Sequence, residues 1–113
     1  MLFCIMANYT PQTINALMDH TESRLPAVQK LVEAAGGKLV SMYSTAMEGP
    51  GVMLIVDVAD PTVAPAISGV AVAAGAIKDV KFFRLLAQDE VVTLRKKAAE
   101  MRKVYTPPSK SSK

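Results

Sequence analysis

Cysteine and histidine are almost missing from this chain of 113 residues. Cys4 stands alone, which excludes an internal disulfide and an all-cysteine metal site. His20 also stands alone, so motifs that need two imidazoles, the zinc-protease pair among them, are excluded. Tryptophan is absent, and the glycines show neither dinucleotide-loop nor phosphate-loop spacing. The run from Gly69 to Gly75 is helix-like and lacks the lysine that a phosphate loop requires. Long apolar runs are missing too. The most apolar stretch, between Asp60 and Lys78, is largely alanine and valine and is broken by Pro61, Pro65, Ser68, Gly69 and Gly75. A membrane span needs about 20 strongly apolar residues, so this stretch reads as a buried helix. The N-terminal run has no positive region before it and ends at Asn8, which reads as a strand and not a signal peptide. The expectation is a cytoplasmic protein without membrane contact.

Half of the residues are hydrophobic and one fifth are charged, the balance of a folded domain. The formal net charge of +3 is unevenly placed. Residues 1–94 carry nine acidic and six basic side chains, whereas residues 95–113 carry seven basic ones against Glu100 alone. The globular part is therefore acidic, and the basic bias belongs to the C-terminal end. One domain over residues 1–104 is expected, followed by a disordered basic tail over 105–113 that is rich in proline, serine and lysine.

Leu2 to Tyr9 reads as a buried strand. Thr10-Pro11 supplies an N-cap hydroxyl and a proline at the first helical position. A first helix, with Ile14, Leu17 and Met18, breaks at the turn-forming cluster Asp19–Ser23. A second starts near Ser23 and carries the stripe Leu25, Val28, Leu31, Val32 and Ala35 until Gly36-Gly37 ends it. Lys38 to Met47 is the next strand, with Leu39, Ser41, Tyr43 and Thr45 expected on one face and Val40, Met42, Ser44 and Ala46 on the other. A Gly-Pro-Gly turn leads to an apolar strand over Val52–Val58, and the two strands read as a hairpin. Asp60-Pro61 is expected to open a third helix, Val80 to Ala87 to form a fourth strand, and Asp89 to cap a last helix along Val91, Leu94, Ala98 and Met101.

The order β-α-β-β-α-β-α gives an α+β class: a ferredoxin-like fold with a four-stranded antiparallel sheet and an added C-terminal helix. Helices cover one face of the sheet. The run Val52-Met53-Leu54-Ile55-Val56 is apolar on both faces, which implies cover on the second face as well. A homo-oligomer built by sheet packing, or the last helix, would provide it.

Several of these residues fall in a familiar order. Asn8-Tyr9-Thr10 ends the first strand, and Arg24 opens the long helix. Leu31 to Leu39 runs from that helix into the second strand, Ser41-Met42-Tyr43 follows, and a hairpin and Asp60 come next. Over residues 2–92 the chain resembles the GYD domain family, small proteins related to the dimeric α/β-barrel superfamily. The resemblance implies a dimeric α/β-barrel type of fold and assembly rather than a chemistry. The Gly-x-Tyr-Asp-like turn that names the family would fall at Met47–Gly51, where this chain has Met-Glu-Gly-Pro-Gly and neither the tyrosine nor the aspartate.

Five residues are candidates for ligand binding: Tyr9, Arg24, Tyr43, Asp57 and His20. Dimeric α/β barrels tend to bind ligands between sheet and helices, where tyrosine and arginine can fix a polar group among apolar walls. The plainer alternatives stay open. The tyrosines can be core residues with a hydroxyl at the rim, Arg24 can tie down a helix start, Asp57 can sit at a subunit interface, and His20 can be a surface residue in a turn. Cys4 reads as a small buried hydrophobe without the electropositive neighbours that activate a thiol. Met6, Met42, Met47 and Met53 read as core and, alternatively, as lining for an adaptable pocket. Neither a cofactor nor a metal is implied, and no catalytic signature is present. The basic residues of the last helix form a solvated face, and with only Tyr105 beside them they argue against nucleic acid as a partner.

The function expected from all this is an oligomeric small-molecule-binding protein with an intrasubunit cavity. Two alternatives come from other classes: a cofactor-free enzyme of monooxygenase or isomerase type, which only the resemblance to the dimeric α/β-barrel superfamily implies, and an interaction module that presents the basic C-terminal helix.

Overall fold

A computed structural model describes residues 1–46 and 49–109. Eight elements follow in chain order: β1 (Leu2–Tyr9), α1 (Pro11–Asp19), α2 (Leu25–Ala34), β2 (Lys38–Thr45), β3 (Gly51–Asp57), α3 (Val63–Ala73), β4 (Ile77–Leu85) and α4 (Gln88–Arg102). The strands form one four-stranded sheet in the order β2-β3-β1-β4, with every neighbouring pair antiparallel. This is the expected ferredoxin-like arrangement, with its first helical segment split in two. Part of the expected Met47–Gly51 turn, and of the expected tail, lies outside the described residues.

Local chemistry explains most of the boundaries. The Thr10 hydroxyl accepts a hydrogen bond from the Thr13 N–H at 3.3 Å and donates to the Gly75 carbonyl at 2.7 Å, so it caps α1 and ties it to the β4 approach. Pro11 opens that helix, where its missing N–H costs nothing. The Leu25 N–H donates to the Ser23 hydroxyl at 3.1 Å, and Pro26 falls in the first turn of α2. Gly36 ends α2 with φ +83°, a backbone conformation that favours glycine.

Alternation along β1 and β3 divides the sheet. Phe3, Ile5, Val52, Leu54 and Val56 are buried against the helices and meet Val32 of α2 and Ala64 and Ile67 of α3. On the outer face, the register lines up Ser41, Ile55, Cys4 and Phe83 in one row and Tyr43, Met53, Met6 and Lys81 in the next. The helices that pack on the sheet, α1, α2 and α3, do so on the inner face. The last helix, α4, projects from the end of β4 without a buried residue, in a molecule 63 × 29 × 23 Å across.

Several expectations are corrected. The ladder shifts between Leu39 and Ser41, where Val40 is the extra residue of a bulge. Leu39 therefore packs towards the core while Ser41 and Tyr43 lie on the outer face. Strand β4 begins at Ile77, three residues earlier than expected. It too carries a bulge, with Asp79 at φ +54° accepting a hydrogen bond from the Asn8 amide at 3.4 Å. Asp60 does not cap α3 directly. Its carboxylate accepts from the Thr62 N–H and hydroxyl at 2.9 and 2.8 Å, which holds it below the usual carboxylate range. The turn so formed delays the helix to Val63 and leaves Pro65 in the first turn. At α4 the N-cap residue is Ala87, whose N–H donates to the Glu90 carboxylate at 3.2 Å, while Asp89 lies inside the first turn and accepts from the Glu90 N–H at 3.0 Å.

Gly69 lies exposed inside α3, and a Cβ built there meets nothing within 4 Å. Gly69→Ala should therefore raise stability by about 0.5–1 kcal/mol through lower unfolded-state entropy. Thermal unfolding would read this as a higher Tm. A lower Tm would mean that the helix needs the glycine for a reason other than space.

Candidate functional site

The helices do not fill the inner face of the sheet completely. A cavity of about 160 Å³ remains between β1, β3 and the three packed helices. Its walls are apolar: Ile5, Ala7, Val52 and Leu54 from the sheet, Val28 and Leu31 from α2, and Ile67 and Ala71 from α3. The void follows from side-chain size. Ala7, Ala27, Ala71 and Ala76 all line it, and none reaches far enough to close the space. Ser68 also lines the cavity, but its hydroxyl is spent on the Ala64 carbonyl at 3.1 Å.

Polar groups gather at one end. Tyr9, at the end of β1, and Arg24, just before α2, line both the cavity and an outer pocket of about 360 Å³. Leu17 and Met42 are shared between the two spaces as well. Thr13 joins the inner cavity, whereas His20, Glu22 and Ser23 line only the outer one. Burial raises the Tyr9 pKa, and the nearby positive charge of Arg24 opposes the shift without cancelling it. At neutral pH the Tyr9 hydroxyl is therefore protonated and can donate a hydrogen bond. Arg24 takes part in none of the ion pairs among the described residues, which join Met1 to Asp57, Arg84 to Glu90 and Lys103 to Glu100. Its side chain makes no capping bond to α2 either, so it does not tie down the helix start in that way.

The five candidates thus fall into three groups. Tyr9 and Arg24 stand together at the cavity mouth. His20 and Tyr43 line the outer pocket, although register puts the largely exposed Tyr43 on the outer face of the sheet. Asp57 lies at the far end of β3, opposite Leu2 and Lys38, and accepts a hydrogen bond from the Met1 amino group at 3.1 Å. Of the four methionines read as possible pocket lining, Met42 lines the cavity, Met6 and Met53 lie on the outer face, and Met47 falls outside the described residues. Sequence marks Leu17 only as part of the apolar side of the first helix, and does not mark Thr13 or the small wall residues. The alanine-rich composition of α3 was the available signal, since it supplies helix without volume.

Cys4 is buried on the outer-face side, and burial raises its pKa, so it is a packed thiol rather than a nucleophile. Among the described residues no three His, Cys, Asp or Glu side chains come together as a metal site would require. No described helix is long and apolar enough to cross a membrane.

The fold class is α+β, with an antiparallel ferredoxin-like sheet and a cavity on its helical side. The model of the GYD domain family matches residues 3–94, and the chain belongs to that family. No curated protein matches the chain.

Proposed function

We propose that this protein binds a small molecule in the cavity between sheet and helices, as an oligomer joined through the outer sheet face. One observation carries the binding reading: an apolar cavity that opens beside a half-buried tyrosine and an arginine that joins no ion pair among the described residues. Ligand sites typically combine apolar walls with a few placed polar groups in this way. The protonated Tyr9 and the cationic Arg24 are both donors. They suit holding an acceptor group better than abstracting a proton, which favours binding over an acid–base enzyme. The outer face supports the oligomer reading, since Met6, Met53, Ile55 and the half-exposed Phe83 lie on the side of the sheet opposite the core helices.

Benzene tests the cavity directly, because an apolar void of about 150 Å³ is large enough to bind it. Titration followed by NMR should shift Ile5, Leu54 and Ile67, and Ala71→Leu, which fills the void, should abolish the shifts. If the unsubstituted protein shows no shifts at these residues, the cavity reading fails.

A further inference from the structure

We propose that the ligand is a small monocarboxylic acid whose apolar body is about one six-membered ring in size, with its carboxylate held by Arg24 and Tyr9. This deepens the cavity-binding reading and rests on it. Size comes from the cavity: about 160 Å³ is close to the volume of an apolar void that holds benzene, and so suits a single ring or a comparable branched chain. Charge comes from the mouth. Of the charged side chains around the two spaces, Glu22 lines only the outer pocket, whereas Arg24 lines both. A head group at the inner mouth therefore meets a guanidinium, the Tyr9 hydroxyl and the Thr13 hydroxyl, and no carboxylate.

The chemistry of these groups narrows the choice further. A guanidinium offers several N–H donors in a plane and matches both oxygens of a carboxylate. The Tyr9 hydroxyl, which lines the same space, adds a third donor. An amine would place its charge against Arg24. An uncharged amide would fill the same space but leave the guanidinium without its counter-charge. The phosphate of a nucleotide would fit the donors, but its sugar and base would exceed the inner space.

The test compares benzoate with benzamide, which is nearly the same shape and uncharged. Calorimetry should give benzoate an affinity roughly tenfold or more above that of benzamide, since hydrogen bonds to a charged group exceed neutral ones by about that margin. Arg24→Gln should remove the preference, lowering benzoate affinity to about that of benzamide. Arg24 is exposed and makes no capping bond, so the variant should fold normally, which its thermal unfolding would verify. 2-Naphthoate should bind much more weakly than benzoate. Equal affinities for benzoate and benzamide, or benzoate affinity unchanged in Arg24→Gln, would overturn the carboxylate assignment while leaving the cavity reading intact. If neither compound nor benzene binds, both fail.

Discussion

Gly51→Val is expected to unfold the protein. Gly51 starts β3 and is buried, with Asn8 of β1 opposite on one side and Thr45 of β2 on the other. Any side chain begins with a Cβ. Here that atom would run into the Ala7 carbonyl oxygen, approach the Thr45 hydroxyl to 2.6 Å and the Asn8 side-chain oxygen to 3.2 Å. The obstruction on the β1 side is backbone, which no rotamer change relieves. Room can be made only by spreading β3 from its neighbours on both sides, which breaks ladder hydrogen bonds beside the cavity. Overpacking usually costs about 1–3 kcal/mol, and a backbone obstruction belongs at or above the top of that range. A domain of this size has a total stability on the order of 5–15 kcal/mol. Gly51→Val should therefore express poorly or unfold well below the wild-type urea midpoint. An unchanged midpoint would mean that the strands separate there at little cost. The contrast with Gly69→Ala is the useful one, since the two glycines call for opposite signs.

Gly51 also shows what a sequence discloses and what it withholds. Its place in a Gly-Pro-Gly run marks it as a turn residue, and that much is readable. Its second role, a close approach between three strands, depends on which strands become neighbours. The same division holds elsewhere. Thr10-Pro11 and Gly36 spell out helix ends because the cap is local chemistry, and the structure agrees with them. The bulge at Val40 is not spelled out. One extra residue there moves Leu39 to the core side of the sheet and keeps Tyr43 on the outer face, so strict alternation misassigns Leu39. In β4, Lys78 and Asp79 look like loop because the bulge turns their polar side chains out of the core. Asp60-Pro61 has the composition of a helix cap, but the carboxylate reaches the Thr62 N–H first and closes a turn.

The candidate site was legible to a similar degree. Tyr9 and Arg24 stand out because each is a polar residue at the end of an apolar element, and elements of this fold end at the same place. The cavity itself could not be read from the chain. It arises where Ala7 of β1 and, from a distant stretch of the sequence, Ala71 of α3 and Ala76 line one shared gap. Small residues at helical spacing signal close packing as readily as they signal a void, and only the tertiary arrangement decides between them.

Ile55→Lys should convert an oligomer into a monomer while sparing the fold. Ile55 sits in the middle of the outer face, in the row Ser41–Ile55–Cys4–Phe83. In a single chain Ile55 is partly exposed on this face, so a lysine can lay its methylenes along the sheet and keep its ammonium solvated. In a face-to-face dimer the same ammonium is taken out of water, and two-fold symmetry does so twice. Burying an unpaired charge costs several kcal/mol, and each 1.4 kcal/mol is tenfold in affinity. A rise in the dissociation constant of roughly a thousandfold or more follows. Sedimentation velocity at tens of micromolar should show the wild type as an oligomer and Ile55→Lys as a monomer with a near-normal Tm. Removing residues 88–113 separates this interface from α4, whose apolar positions Leu94 and Met101 are also exposed. The shortened chain should still associate. If it becomes monomeric while Ile55→Lys does not, the helix holds the assembly and the sheet face is free. Because alternation sends Ile5 and Leu54 to the cavity and Cys4 and Ile55 to the outer face, the monomeric variant should still take up benzene. The same two strands would then serve ligand and partner on opposite sides, each open to change without the other.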